Sequence, residues 1–262
     1  MKRTIIYSWL LMLGFLLQGC RFSQEGFNVF SLNDDLTLGK QVVDEIEKDP
    51  KTQVIDSASN TALYQYIYAV RDTLLQSGGI RYRNDFPWRI RVIKNDSIIN
   101  AFCTPGGYIY LYTGILKFLD AEDQLAGVLG HEMGHADLRH STQQITKMFG
   151  VQLLLTVIAG DKSAVKDISA ALIGLSFSRK HEKEADQCSV SYLCSSTYCA
   201  DAGGKFFEKI IGSGMETPPE ILSTHPDPGD RVEAYTNYKQ TLGCSGNTTY
   251  KERYQKMLEL LP

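Results

Sequence analysis

His131 and His135 stand four residues apart in a run that reads His-Glu-Met-Gly-His. At that spacing on an α-helix, two side chains leave the same face, so two imidazoles can grip one divalent metal ion. Glu132, one step round, can take a proton from a water at that metal, the general-base role of zinc hydrolases. A catalytic zinc normally takes three protein ligands and keeps a fourth position open. The candidate for the third lies downstream, where Glu182 and Asp186 again stand four apart. Glu182 is read as the metal ligand. Asp186 is read as the carboxylate that accepts a ring N–H from a ligating histidine and fixes its tautomer. Glu184 lies about 200° round from Glu182 and is the weaker candidate. The competing reading makes Glu182, Glu184 and Asp186 a solvated charged face among Arg179, Lys180 and Lys183.

Both pairs need helices to present them. Residues 120–135 contain no proline, begin with Asp120, Glu122 and Asp123, and carry Leu125, Val128 and Leu129 at helical spacing, as a helix with an acidic first turn should. Gly130 and Gly134 lower helix propensity but leave room for a second backbone beside the metal-bearing helix. Helices are expected at 36–47 and 59–76, the second with Leu63, Ile67, Val70 and Leu74 on one face. Strands are expected at 88–94, 98–102 and 108–113, the last two flanking a turn at Pro105, Gly106 and Gly107. Tyr108, Tyr110 and Tyr112 share one face of the last strand, and a solvent-facing row and a substrate-lining row stand equal. Residues 148–177 hold two apolar runs, 151–159 and 170–175, each too short to cross a bilayer. They are expected to form a helical hairpin packed on the core, the alternative being a lid or membrane-facing loop over the cleft.

These pieces together resemble the zinc metallopeptidases of family forty-eight, the HtpX and CAAX prenyl protease type, and within it the soluble periplasmic lipoprotein branch. The run from His131 to His135 carries the resemblance first, and Glu182 and Asp186 match the family's Glu-x-x-x-Asp. Residues 36–43 resemble its N-terminal helix, 100–114 its edge-strand hairpin, and 223–231 a C-terminal segment. The resemblance implies an α+β fold: a mainly helical zincin-type metallopeptidase domain with a small sheet of about three strands beside the active-site helix. It implies one Zn2+ per chain on His131, His135 and Glu182, with Glu132 as the catalytic base. It also gives His225 a catalytic part, either stabilising the oxyanion or filling the fourth coordination position in a resting form. Read alone, a loop histidine is more often a surface or capping residue. The sheet edge is expected along the cleft, which makes Asn100, Phe102, Gly106 and Gly107 substrate-binding candidates. A peptide held extended there gains main-chain hydrogen bonds without sequence specificity. Cys103 departs from the small or apolar residues usual at its position and leaves a thiol near the site. Arg231 is expected to position substrate or to pair with Asp186. His140, about 180° from His131 on a continuous helix, is not expected to be a ligand, and His181 is expected to be solvated.

With 262 residues, 43% of them hydrophobic, the chain can bury a substantial core in one domain. Its beginning reads as an export leader: Lys2 and Arg3, an apolar stretch at 5–17, then Leu17-Gln-Gly-Cys20, which resembles a bacterial lipobox with Cys20 as the lipidated residue. An ordinary signal peptide or short anchor is the alternative, although the stretch is shorter than the roughly 20 residues of a spanning helix. The expected organisation is a lipoprotein signal peptide at 1–19, a tether at 20–31 and the metallopeptidase domain at 32–262. Loss of Lys2 and Arg3 takes the formal charge from −3 to −5, leaving no basic footprint for nucleic acid. Export permits disulfides, and the five cysteines after Cys20 leave at least one thiol outside intramolecular pairing. Cys194 and Cys199 are near enough in sequence to bridge, but spacing does not fix the connectivity.

The expected protein is a zinc-dependent endopeptidase of the bacterial cell envelope, facing the periplasm and held to the membrane by lipid on Cys20. Its partners are unfolded or misassembled envelope polypeptides, and an envelope protein assembly is a compatible partner. The alternative is a zinc-containing chaperone or scaffold lipoprotein that no longer cleaves, against which the intact Glu132 argues.

Overall fold

The computed structural model describes residues 26–149, 151–214, 219–226 and 228–262; the expected leader and Cys20 lie outside them. Two helices, α1 (Leu32–Lys48) and α2 (Thr61–Leu75), precede the strands β1 (Arg89–Ile93), β2 (Ala101–Thr104) and β3 (Tyr108–Tyr112). Next come α3 (Thr113–Phe118), α4 (Glu122–Asp137), α5 (His140–Met148), α6 (Val151–Ile158) and α7 (Lys162–Ile173). The remainder is α8 (Arg179–Cys194), α9 (Ala202–Gly212), the short α10 (Ile221–Thr224), α11 (Pro228–Leu242) and α12 (Lys251–Leu258). This is the mainly helical α+β domain with a small sheet that the family resemblance implies.

β3 is the central strand, parallel to β1 with Arg89 opposite Tyr108, and antiparallel to β2 with Ala101 opposite Leu111. β2 starts at 101, later than the expected 98, because the stretch before it serves α10: Ile99 O accepts from Ile221 N at 3.2 Å. Gly106 and Gly107 turn β2 into β3 with φ of +77° and +80°, a region that glycine enters without penalty. One sheet face, with Ile90, Val92, Ile109 and Leu111, joins Leu63, Ile67, Leu129 and Phe206 in the larger apolar cluster. The other face carries Phe102, Tyr110 and Tyr112 into a second cluster with Val42, Ile46, Leu154, Val157, Ile168 and Leu172. Tyr110 and Tyr112 are therefore core residues, neither a solvent-facing row nor a substrate lining. The strand alternates as expected, but α1, α6 and α7 cover the side left open in the sequence reading. α6 and α7 form the expected hairpin packed on this second cluster.

α4 is buried along its whole length. Gly134 and Gly127 allow this: a Cβ on Gly134 would meet Cys188 Cβ at 2.8 Å, and one on Gly127 would meet Gly203 N at 2.6 Å. Each glycine costs about 1 kcal/mol of helix propensity against alanine, and in return α8 and α9 close directly onto α4. Ser178 caps α8, its Oγ accepting from His181 N at 3.2 Å, so Glu182 falls in the first turn. A disulfide joins Cys194 to Cys244, whereas Cys103 and Cys199 are buried thiols. Residues 26–31, within the expected tether, lie against α5: Asn28 Nδ2 donates to Thr142 Oγ1 at 2.9 Å and Phe30 joins the second cluster. Among the described residues no helix is long and apolar enough to cross a membrane.

Candidate metal centre

α4, α8 and the end of α10 converge on one buried point. His131 Nε2 lies 3.0 Å from His135 Nε2 and 3.2 Å from His225 Nδ1. Glu182 Oε1 lies 3.4 Å from His135 Nε2 and 3.1 Å from His225 Nδ1, and its Oε2 lies 3.5 Å from His131 Nε2. A tetrahedral zinc ion with nitrogen ligands at 2.0–2.1 Å requires donors about 3.3 Å apart. These five separations, 3.0–3.5 Å, bracket that edge length, and imidazoles with one carboxylate are a set that zinc accepts. All four residues are buried. Glu182 and Asp186 are therefore not part of a solvated face.

The surroundings fix these groups. Asp186 accepts from His131 Nδ1 at 2.9 Å, from Arg231 Nε at 2.8 Å and Nη2 at 2.6 Å, and from the Tyr235 hydroxyl at 2.8 Å. With Nδ1 so engaged, His131 turns Nε2 toward the other donors. Arg231 also places Nη1 2.8 Å from Glu182 Oε2, so it pairs with both carboxylates. Burial raises the Asp186 carboxyl, but the charge of Arg231 and the His131 contact outweigh it and hold it low. Burial likewise raises the Glu182 carboxyl, yet the His225 charge and three imidazole contacts keep it well below the ordinary value. Burial pushes His131 down, while Asp186 and Glu182 lift it to about 9. His135 falls well below its ordinary value, by burial first and the His131 charge second. Glu132 is also buried; its Oε2 makes no hydrogen bond among the described residues, and its Oε1 lies 3.5 Å from His225 Nε2.

Among known proteins, the chain matches peptidase family M48 over residues 63–239, a span that contains every donor named above. The chain belongs to peptidase family M48. It is 37% identical over 141 residues to the mitochondrial metalloendopeptidase OMA1 of Arabidopsis thaliana, covering 53% of this chain and 29% of that protein. The protein of the same name from Schizosaccharomyces pombe is 28% identical over 212 residues, 79% of this chain and 61% of its own. The beta-barrel assembly-enhancing protease of Escherichia coli K12 is 32% identical over 162 residues, 56% of this chain and 33% of its own. The matched regions thus span between 29% and 61% of the length of these relatives.

Within this M48 domain the remaining expected residues fall in different places. Asn100 is buried beside α10, its Oδ1 accepting from Ala101 N at 2.9 Å and Thr224 Oγ1 at 3.4 Å, one residue before His225. Phe102 points into the second cluster and stacks on Tyr110 at 4.9 Å. Gly106 and Gly107 pack on α1 and Phe86. Cys103 does lie near the centre, its thiol pushed well up by burial and then by the charge of Glu132. His140, set aside as a ligand, brings Nδ1 to 2.9 Å from His135 Nδ1. His181 is half-buried rather than solvated: its ring stacks on His140 at 4.2 Å, and burial with the His140 charge lowers it to about 4.

Proposed function

We propose that this M48 chain is an endopeptidase that uses one Zn2+ held by His131, His135 and Glu182. One observation carries the reading. Donors of the zinc type converge within 3.0–3.5 Å, and beside them a buried carboxylate oxygen, Glu132 Oε2, has no hydrogen bond. Bound there, the ion supplies Lewis acidity and lowers the pKa of a water toward neutrality. Asp186 keeps the proton of His131 on Nδ1 and the Nε2 lone pair toward the centre. Glu132 Oε2 takes the proton of the attacking water and returns it to the leaving amine. His225 Nδ1 lies 3.2 Å from His131 Nε2 and 3.1 Å from Glu182 Oε1, so its ring would take the fourth position in a resting form and give way when peptide enters. Once displaced, the His225 ring can donate to the oxygen on which negative charge develops.

The peptide is proposed to lie extended along β2, an edge strand packed against α4, with Asn100 and Phe102 beside it; Gly106 and Gly107, packed on α1 and Phe86, would act only by shaping the turn that ends the strand. Because the Phe102 ring is turned into the core, its contribution would be main-chain, which suits unfolded or misassembled polypeptides. The leader-like first twenty residues and the similarity to a beta-barrel assembly-enhancing protease of a bacterium support a lipid-anchored protein of the bacterial envelope, attached through Cys20. Glu132→Gln should retain zinc and lose casein cleavage; cleavage at the wild-type rate removes the general-base assignment. His225→Ala should change the rate at unchanged zinc content.

A further inference from the structure

We infer that His140 and Glu184 form a positioning relay that fixes the tautomer and ring orientation of His135. The inference rests on the zinc reading above and adds residues to it. If His135 Nε2 faces the metal with its lone pair, the ring proton sits on Nδ1 and needs an acceptor. Its partner is another imidazole, His140 Nδ1, at 2.9 Å. A neutral imidazole carries one proton, so accepting at Nδ1 puts the His140 proton on Nε2. That atom lies 3.4 Å from Glu184 Oε2. The contacts therefore run in one direction, a hydrogen bond from His135 to His140 and a longer approach from His140 to Glu184.

The rings are clamped as well as bonded. Phe177 stacks on His135 at 3.9 Å and 22°, and His181 stacks on His140 at 4.2 Å and 14°. The backbone is bent to make the contact. On one continuous helix His140 would stand about 140° round from His135. Instead α4 stops at Asp137, and Arg139 takes a left-handed conformation with φ of 58° and ψ of 33° before α5 begins at His140. A non-glycine residue held there is costly and persists only where its surroundings enforce it. Here the Arg139 guanidinium is gripped by both Asp35 carboxylate oxygens and by Phe30 O, which ties the bend to α1. Glu184, weighed in the sequence only as a poorer ligand, gains a place in the same chain of contacts.

The test uses the full chain with His140→Leu, His140→Gln and Glu184→Leu. Three quantities are read: zinc affinity by chelator competition, the absorption spectrum of the cobalt-substituted protein, and melting of the metal-free form. His140→Leu should weaken zinc binding about 10–100-fold and shift the cobalt bands, with metal-free melting near wild type. His140→Gln offers an amide oxygen to His135 Nδ1–H and should recover most of the loss. Glu184→Leu should give a smaller loss, below about tenfold. Wild-type affinity and cobalt spectrum in His140→Leu overturn the relay, as does a His140→Gln variant no better than leucine. If His140→Leu does not fold, Glu184→Leu decides, and an unchanged affinity and spectrum overturn the relay there. Failure of the unaltered protein to bind zinc would instead sink the metallopeptidase reading, so the two failures are separable.

Discussion

On the α8–α11 side of the metal centre His131 rests on a carboxylate, and on the α5 side His135 rests on another ring. Asp186 receives Arg231 through two nitrogens, the Tyr235 hydroxyl and the His131 ring, so one buried ion pair fastens α4, α8 and α11 together. The other side has one imidazole contact, two stacked rings and a longer approach to Glu184. Removing one partner of the buried Asp186–Arg231 pair strands a charge, whereas removing His140 leaves the neutral His135 Nδ1–H and one oxygen of Glu184 without that ring, and Glu184 keeps Lys180 nearby. The two sides should thus fail differently. The charged side is structural and orienting at once, and the neutral side mainly orients.

The sharpest way to break this contrast is Asp186→Ala. It leaves Arg231 buried without its main partner and should cost about 3–5 kcal/mol of folding stability, read by urea denaturation of the metal-free protein. A loss no larger than that of His140→Leu would erase the distinction. Metal addition comes next. Zinc at about 100 times its Kd should stabilise the wild type by about 2.7 kcal/mol, and chelator should reverse it. At the same zinc concentration His140→Leu should gain less while its metal-free stability stays near wild type. Equal gains in both proteins would count against the neutral side as an orienting device.

The charged side was also the legible side. His131, His135, Glu182 and Asp186 come in pairs four residues apart, and that spacing on two helices carries its geometric meaning in the sequence itself. Pro226, which follows His225 in an irregular segment, gave no such spacing, and only the family resemblance brought that histidine forward. The neutral side was hidden because His140 reaches His135 through the left-handed Arg139, a bend that neither Leu138 nor Arg139 announces. The tyrosine row shows a related limit: alternation identified the face, but α1, α6 and α7 decided what covers it. The disulfide was unreadable for a similar reason, since Cys244 is brought to Cys194 across 50 residues by the packing of α11 on α8, while the nearer Cys199 is buried beside Asp123.

Tyr235→Phe probes the charged side more gently. It deletes one of the donors to Asp186 but leaves both Arg231 bonds. The expected loss is about 1 kcal/mol, well below that of Asp186→Ala, with zinc still bound. A loss as large as that of the alanine variant would mean that the hydroxyl, and not the guanidinium, holds the carboxylate in place.

The head of α4 supplies a second buried carboxylate for comparison, this one poorly partnered. Asp123 Oδ2 makes no hydrogen bond among the described residues, and Lys205 Nζ stands 3.9 Å away. Burial, only partly offset by Lys205, raises the Asp123 carboxyl from 3.8 to about 6, whereas Arg231 helps to lower that of Asp186. A folded state that binds the proton more tightly is favoured when the proton is present. The Asp123 contribution is therefore complete below about pH 4 and is lost as pH rises through about 6. Asp123→Asn keeps the shape without the titration, so its stability relative to wild type should improve between pH 4 and 7 and then level off. Solvent reaches Lys205 and screens the pair, so the lysine offsets only part of the cost of burying the Asp123 carboxylate. Urea denaturation of both proteins at pH 4 and pH 7 reads the difference. The same difference at both values would mean that Asp123 is as well partnered in the fold as Asp186, which would remove the contrast between the head of the helix and its middle.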